Sequence, residues 1–210
     1  MTDQHDFTET DESTDEQSVD GRRLRRERNV AAVIDAVIVM FAEETLTPTI
    51  ERAAERSGLS LRSVYRYFPD PETLIQAAID ETWRRGQAAG HLPSIGRGAF
   101  AERVRQFAEM RVRLYDQVGP SYRAGRLHAP SSVRIRDDLE RTRRTLTAQF
   151  ERQFRPEIDA LPNALRLARS TTADVMSQLE SIDLLRRTRR LTVQESIDVV
   201  ADAVANAFRP

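Results

Sequence analysis

The chain has 210 residues, a formal net charge of −1 and no cysteine. Without thiols it can form neither disulfides nor thiolate metal sites, and it has no cysteine nucleophile. Apolar runs such as Ala36–Ala42 are far shorter than the roughly 20 residues that a membrane-spanning helix needs. The N-terminus is acidic rather than signal-like, so we expect a soluble, cytoplasmic protein.

Charge is distributed unevenly along the sequence. Residues 1–21 hold eight acids and no arginine, whereas residues 91–210 hold 21 arginines against 15 acids. The first segment is too polar to bury apolar surface, so it is predicted to be a disordered acidic tail. An arginine-rich run follows it: Arg22, Arg23, Arg25, Arg26 and Arg28. This run is either the solvated start of a helix or an arm that contacts phosphates or enters a minor groove of DNA.

Helical periodicity dominates the sequence after residue 22. Apolar residues at 30, 33, 34, 37, 38 and 41 follow the spacing of one helix face. Similar stripes occur at 74–83, 104–118, 139–154, 161–182 and 197–208, and no sustained apolar–polar alternation suggests a strand. Breaks between helices are predicted at 90–98, 119–120, 129–132, 155–162 and 189–192. The sequence therefore predicts an all-α protein of about nine helices.

Residues 47–68 are the most informative segment. Thr47 is predicted to cap a short helix whose first residue is Pro48, and Gly58 to end that helix in the left-handed conformation. Ser60 then caps a second helix only two residues later. Two short helices joined so closely must cross at a steep angle, which is typical of a helix-turn-helix.

The second of these helices is predicted to present polar groups on its outer face. Its arginines can pair with guanine O6 and N7 in a major groove, while serine and tyrosine hydroxyls reach phosphates or base edges. An ordinary pair of short helices in a bundle is the alternative. The residues predicted to contact DNA are Thr47, Thr49, Ser60, Leu61, Arg62, Ser63, Tyr65, Arg66 and Tyr67, with Arg22, Arg23, Arg25 and Arg26 as the arm.

Residues 24–80 resemble the DNA-binding domain of the TetR (tetracycline-repressor-like) family. The shared features are the helix-turn-helix and a Tyr-x-x-Phe, here Tyr65 to Phe68, before a helix that begins with an acid and a leucine. The resemblance implies that Tyr65 and Tyr67 touch the DNA backbone and that Phe68 packs in the core. It also implies a homodimer with one recognition helix per half-site of a palindromic operator, and a C-terminal domain that binds a small effector.

Three positions depart from the family pattern. The connection at residues 44–47 is short and lacks the usual glycine, and Ala53-Ala54 stands where Ile-Ala is usual. Pro71 replaces the lysine that commonly opens the fourth helix, although Asp70 and Pro71 still make a good cap and first turn. One cationic phosphate contact is thereby lost, which shifts the expected anchoring toward the arginine arm.

The C-terminal half contains candidates for the dimer interface and the effector pocket. Two apolar stripes suit packing against a partner helix, although each could equally be intrachain core. Thr192 and Glu195 form a capping-box pattern at the start of the final helix. The interface candidates are Leu165, Ala168, Thr172, Val175, Leu179, Ile182, Ile197, Val200, Val204 and Phe208. The pocket candidates are Trp83, Phe107, Met110, Arg111, Tyr115, Tyr122, His128 and Met176, and each of them could also be ordinary core or surface.

Two other functional classes remain as alternatives, a small helical enzyme and a helical adaptor that binds proteins. The three histidines, His5, His91 and His128, are isolated, and no metal-ligand spacing or phosphate-binding glycine loop occurs. We therefore expect no catalytic residues, metal or cofactor. The sequence predicts three parts: a tail (1–21), a DNA-binding domain (22–70), and a helical domain for effector binding and dimerisation (71–210). The expected function is that of a ligand-responsive repressor.

Overall fold

The computed structural model describes residues 12–44 and 47–209, and of residues 12–20 it describes only the backbone. Helices account for most of this part of the chain, and it contains no strand, as the sequence predicts. Among the helices of these residues, none is long and apolar enough to cross a membrane. The α-helices are α1 (Glu12–Ala42), α2 (Ile50–Ser57), α3 (Leu61–Tyr67), α4 (Pro71–Gly86), α5 (Phe100–His128), α6 (Val133–Gln153), α7 (Arg155–Ala160), α8 (Asn163–Met176), α9 (Leu179–Asp183) and α10 (Val193–Ala207).

The first helix is longer than the sequence predicts. The backbone of residues 12–21 belongs to α1, where the sequence predicts a disordered tail, while residues 1–11 lie outside the described residues. Acids near a helix N-terminus interact favourably with the helix dipole, which gives a physical reason for this extension. The arginine run thus lies within a helix rather than at its start.

Helices α1 to α4 pack around one apolar cluster. Val37 and Phe41 of α1 contact buried groups of α2, α3 and α4, among them Ile50, Val64 and Leu74. The same cluster continues into α5, α6 and α10, so the core has no gap at the predicted domain boundary. Helix α4 packs on both α1 and α5 and so connects the first three helices to the rest of the molecule.

The connection between α1 and α2 lacks glycine, and Glu44 takes the left-handed conformation in its place (φ 64°). Its carboxylate lies 2.9 Å from Arg123 of α5 and 2.7 Å from Arg187 after α9. These ion pairs help to offset the strain of a non-glycine residue at positive φ. They also hold the start of the helix-turn-helix against the C-terminal half.

Helix α5 runs through the Gly119–Pro120 pair, where the sequence predicts a break. An interior proline costs a helix about 3 kcal/mol, because it removes one hydrogen bond and crowds the preceding turn. The neighbouring Val118 and Tyr122 are both buried against other helices, and this tertiary packing keeps the helix continuous. The prediction of a break there is therefore wrong.

Two further boundaries differ from the sequence prediction. The stripe at 161–182 is divided, since α8 ends at Met176 and α9 begins at Leu179. A π-helical turn, Leu184–Thr188, continues α9, and the short helix α7 occupies most of the break predicted at 155–162. The capping box that starts α10 at Thr192 is present as predicted.

Candidate functional site

Four positions that begin or end α2, α3 and α4 are predicted from the sequence, and the structure has the predicted local conformation at three of them. Gly58 is left-handed (φ 71°), and the Ser60 hydroxyl accepts a hydrogen bond from the Ser63 amide at 3.3 Å. Asp70 caps α4 by accepting from the Thr73 amide at 2.7 Å. The predicted start of α2 is wrong by two residues, because Thr49 rather than Thr47 is its cap, and Pro48 is buried before the helix begins.

Helix α3 turns its polar face to solvent. Arg62 and Arg66 are exposed, while Val64 is fully buried beneath them. The Tyr65 ring lies on the flank of the helix, 45% exposed, and its hydroxyl donates to the Glu51 carboxylate of α2 at 3.1 Å. This hydrogen bond raises the pKa of Tyr65 and fixes the relative position of α2 and α3.

Tyr67 connects α3 to α1. Its hydroxyl oxygen accepts hydrogen bonds from Asn29 Nδ2 at 3.4 Å and from Arg66 Nη2 at 3.0 Å. These two donors, Asn29 first, lower the pKa of Tyr67. Because the oxygen accepts both bonds, the hydroxyl hydrogen can be donated outward to a further acceptor such as a phosphate oxygen.

Between α1 and α3 lies a cleft of about 550 Å³, which we call the arginine cleft. It is lined by Arg22, Arg25, Arg26, Asn29, Arg66 and Tyr67. Among the residues whose side chains are described, no acid lines it, so four arginine side chains from two helices border one concave surface. Three of the four predicted arm residues thus lie beside the end of α3. The fourth, Arg23, pairs with Glu27 at 3.7 Å.

The sequence predictions did not include Asn29 among the site residues. It follows Arg22, Arg25 and Arg26 at helical spacing on one face of α1, so the periodicity of α1 could have identified it. Within the described residues, Arg25, Arg26 and Arg62 form no ion pair with an acid. Cations without an acid partner remain available for an external anion.

Several of the predicted effector residues lie in the helical interior. Phe107 and Met110 are fully buried in a cluster of phenylalanines, and the Tyr115 and Tyr122 hydroxyls donate to the Asp183 and Glu180 carboxylates. His128 and Met176 are half-buried. The buried side chains contribute to core packing, and an effector pocket formed by these residues stays a prediction.

Trp83, another of these candidates, lines a surface groove. It lies on α4 at the middle of a long groove between α4 and α6, which has one part of about 400 Å³ and another of about 240 Å³. Trp83, Gln87, Arg141 and Thr142 line both parts, so the groove is continuous. We call it the α4–α6 groove.

The predicted interface residues divide into two groups. Leu179, Ile182, Val200 and Val204 are fully buried within the chain, and Ile197 is nearly so. Phe208 packs into the phenylalanine cluster. The five buried residues have little or no surface left for a partner, which argues against their assignment to an interface, whereas Phe208 is half-buried and stays a candidate. The four candidates on α8 are exposed: Leu165, Ala168, Thr172 and Val175.

In the described part of the chain, no group of three or more histidine and acidic side chains could hold a metal ion. His91 is exposed, and His5 lies outside the described residues.

Comparisons with known proteins identify the fold. Neither a family model nor a curated protein matches the sequence. Three solved structures are similar, and each is matched over most of both chains. A proposed TetR-family transcriptional regulator from Rhodococcus sp. has a TM-score of 0.64 and 15% identity, covering 87% of this chain and 100% of its own.

The other two structures give a similar result. A proposed transcriptional regulator from Pseudomonas aeruginosa PAO1 has a TM-score of 0.60 and 17% identity, covering 87% of this chain and 95% of its own. A proposed fatty acid metabolism regulator from Clostridium perfringens has a TM-score of 0.56 and 15% identity, covering 85% of this chain and 99% of its own. The chain therefore shares its all-α fold with proteins described as transcriptional regulators.

Proposed function

We propose that the protein is a TetR-family transcriptional regulator that binds a palindromic DNA operator as a homodimer and represses transcription. The observation that carries the proposal is the cationic surface formed by α3 and the adjacent face of α1, which no acid lines among the described residues. DNA has a dense line of phosphates, and proteins that neutralise them use arginines arranged in this way. The shared fold supports the proposal independently.

The α3 side chains have two proposed roles. Arg62 is exposed at the N-terminal end of the helix without an acid partner, where a recognition helix normally reads base edges. Arg66 already donates to Tyr67, and both line the arginine cleft, which suits phosphate contact. Arg62 is therefore the proposed reader of bases, and Arg66 with Tyr67 the proposed anchor. Thr47, Thr49, Ser60, Leu61, Ser63 and Tyr65 remain proposed contacts around them.

The arginine cleft extends the proposed interface beyond the helix-turn-helix. Arg22, Arg25 and Arg26 lie on the same face of α1, beside the outer end of α3. A phosphate in the cleft could accept hydrogen bonds from these guanidiniums and from the Tyr67 hydroxyl. The cleft would thus supply the cation that Pro71 does not provide at the start of α4.

A dimer is proposed through α8. This helix exposes apolar side chains that include Leu165 (40% exposed), Leu167 (79% exposed) and Val175 (52% exposed). Exposed apolar surface on one helix is what a partner would cover. A second copy of the chain would cover it, and two-fold symmetry would place the two α3 helices on successive major grooves.

Mobility-shift titrations of selected DNA fragments test the DNA-binding proposal. The double substitution Arg62→Ala with Tyr67→Ala should weaken specific binding by about tenfold or more and remove sequence preference, because it deletes a base contact and a phosphate contact. Circular dichroism should show an unchanged helical fold. Arg113→Ala is the matched control, since Arg113 is an exposed arginine of α5 that does not line the arginine cleft. Equal binding by the double variant and the control would refute the assignment.

Light scattering tests the dimer. The protein should have twice the subunit mass of 24.0 kDa at micromolar concentration, and Val175→Glu should reduce the mass to that of one subunit. Val133→Glu is the control, because Val133 of α6 is more exposed (63%) and lies outside α8. A single-subunit mass for the unmodified protein, or a Val175→Glu dimer, would contradict the proposed interface.

A further inference from the structure

The narrower part of the α4–α6 groove combines an apolar floor with a cationic rim. Trp83, Leu114 and Leu146 supply apolar surface, and Arg141 and Arg152 stand at the edge. Among the described residues no acid lines this part, whereas Asp80 and Asp138 line the wider part, and Asp138 pairs with Arg141. Its volume of about 240 Å³ suits a small molecule rather than a peptide.

Behind the groove lies a buried arginine with no carboxylate bonded to it. Arg111 is fully buried, and its guanidinium donates to Gln149 Oε1 at 2.9 Å and to the Leu146 carbonyl at 2.6 Å. Its Nε has no hydrogen-bond partner. Gln149 and Leu146 both line the groove, so one layer of side chains separates the guanidinium from the cavity.

The surroundings of Arg111 compensate its charge only in part: its guanidinium carbon lies 4.6 Å from the centre of the Phe107 ring, a cation–π contact. Asp174 is the acid whose charge acts on it, but that carboxylate is bonded to Thr147 and Gln178 instead. Burial lowers the pKa of Arg111 to about 9, so the group stays protonated at neutral pH. A buried cation bonded only to neutral acceptors is costly, and an incoming anion would relieve that cost.

We propose that the narrower part of the α4–α6 groove binds a small amphipathic carboxylate. Its apolar body lies on Trp83, Leu114 and Leu146, and its carboxylate replaces the Gln149 amide as the acceptor for Arg111. Gln149 can move aside because its other bond, from Nε2 to the Gly90 carbonyl at 2.9 Å, is to a loop. Arg152, which forms no ion pair among the residues described, adds a second cation at the mouth.

The groove also has a route to the proposed DNA-binding surface. Trp83 lies on α4, whose N-terminus directly follows the Phe68 end of α3. A ligand that wedges between α4 and α6 would therefore alter the position of α3. This coupling rests on the proposed function, whereas carboxylate binding itself does not.

Intrinsic fluorescence tests the binding directly, because Trp83 is the single tryptophan of the chain. The full-length protein would be titrated with octanoate, octanol and octylammonium in the absence of DNA. Octanoate should give a saturable change in Trp83 emission, at a concentration about tenfold below that needed for octanol, because a hydrogen bond to a charged group adds at least that factor. Equal responses to all three, stronger binding of octylammonium, or no saturation by octanoate would overturn the proposal.

Substitutions locate the site. Arg111→Met removes the guanidinium but retains an unbranched side chain of similar length. It should abolish the preference for octanoate over octanol without weakening octanol binding. Thr145→Phe should block both ligands, since Thr145 lines the groove, whereas Ala148→Phe on the same helix lies outside it and should block neither. Unchanged octanoate binding by Thr145→Phe would overturn the proposal even if Arg111→Met does not fold.

The DNA and ligand experiments can fail independently. Loss of operator binding by the Arg62 and Tyr67 double variant leaves the fluorescence titration unaffected. Conversely, an absent fluorescence response leaves the DNA-binding proposal intact. If both succeed, octanoate should change the operator affinity of the unmodified protein and not that of Thr145→Phe.

Discussion

Arginines of the N-terminal helices α1 and α3 differ in their contacts from arginines of the helical body, by which we mean α4 to α10. Arg25, Arg26 and Arg62 form no ion pair among the described residues and face solvent or the arginine cleft. Arg103 and Arg123, in contrast, pair with acids across helices and are largely withdrawn from water. The chain contains no lysine, so the same residue type has both uses, and only burial and pairing distinguish them.

The difference follows from electrostatics. An arginine taken out of water needs an acid or several acceptors, because an unpaired buried charge costs several kcal/mol. An exposed arginine pays no such penalty and gains little from a surface acid, so it remains available for a ligand. We expect substitutions in the body to change stability, and substitutions in the arginine cleft to change DNA binding alone.

The largest effect, a loss of folding stability, is expected from the substitution of Arg103. Its guanidinium is bonded to Glu157, to the Gln153 carbonyl at 2.6 Å and to the Gly98 carbonyl at 3.2 Å, and its side chain is 5% exposed. Arg103→Met should lower the free energy of unfolding by about 3–5 kcal/mol, because it leaves the Glu157 carboxylate without its partner.

Urea denaturation followed by circular dichroism measures this change. Arg113→Met, at an exposed position of the same helix, should stay within about 0.5 kcal/mol of the unmodified protein. If the two variants lose equal stability, the distinction between buried and exposed arginines in the body is wrong.

Local features of the fold could be predicted from the sequence. The left-handed Gly58 and the caps at Ser60, Asp70 and Thr192 depend on residues within one turn, so the sequence identifies them correctly. The continuity of α5 through Pro120 depends on distant helices that pack on it, and no local signal reports that packing. Helix periodicity also cannot tell an intrachain face from an interface, which explains the assignment of buried Leu179 and Val200.

The candidate site likewise has features that depend on neighbouring residues and features that depend on distant ones. The exposed face of α3 could be read from the spacing of its residues, because a cap and a buried Val64 fix the helix rotation. The arginine cleft requires knowing that α1 passes beside Tyr67, a contact between residues 38 positions apart. The prediction of effector residues meets a related difficulty, since large or polar-tipped side chains such as Phe107 and Tyr122 fill a core as readily as they line a cavity.

An intermediate effect, on the salt dependence of DNA binding, is expected from a substitution in the arginine cleft. Arg26 lines the cleft, and Arg28 is exposed on the same helix without lining it, so the two form a matched pair. Arg26→Gln should reduce the slope of log affinity against log salt concentration by about one unit, since it removes one phosphate contact. The unfolding free energy should stay within about 0.5 kcal/mol of the unmodified protein.

Operator binding at several salt concentrations measures that slope. Arg28→Gln changes the net charge equally and should leave the slope almost unchanged. Identical slopes for the two variants would mean that total charge, rather than the cleft, determines binding.

The smallest expected effect lies on α4, where exposed arginines are nevertheless paired. Glu81 bonds Arg84 and Arg85, and these bonds, Arg84 first, lower the pKa of Glu81 from 4.5 to about 2. Because the folded-state pKa is the lower one, the stabilisation is complete above about pH 4.5 and disappears as the pH falls toward 2. Both arginines are half-exposed or more, so Glu81→Gln should cost only about 0.5–1 kcal/mol at pH 6.

Urea midpoints of the unmodified protein and Glu81→Gln, compared from pH 6 to pH 2, measure this contribution. The difference between them should shrink across that window as the unmodified carboxylate is protonated. Glu140→Gln is the control, because Glu140 is an exposed acid of α6 that forms no ion pair among the described residues, and its difference should stay near zero. A Glu81→Gln difference that persists at pH 2 would show that the side chain stabilises α4 by packing rather than by charge.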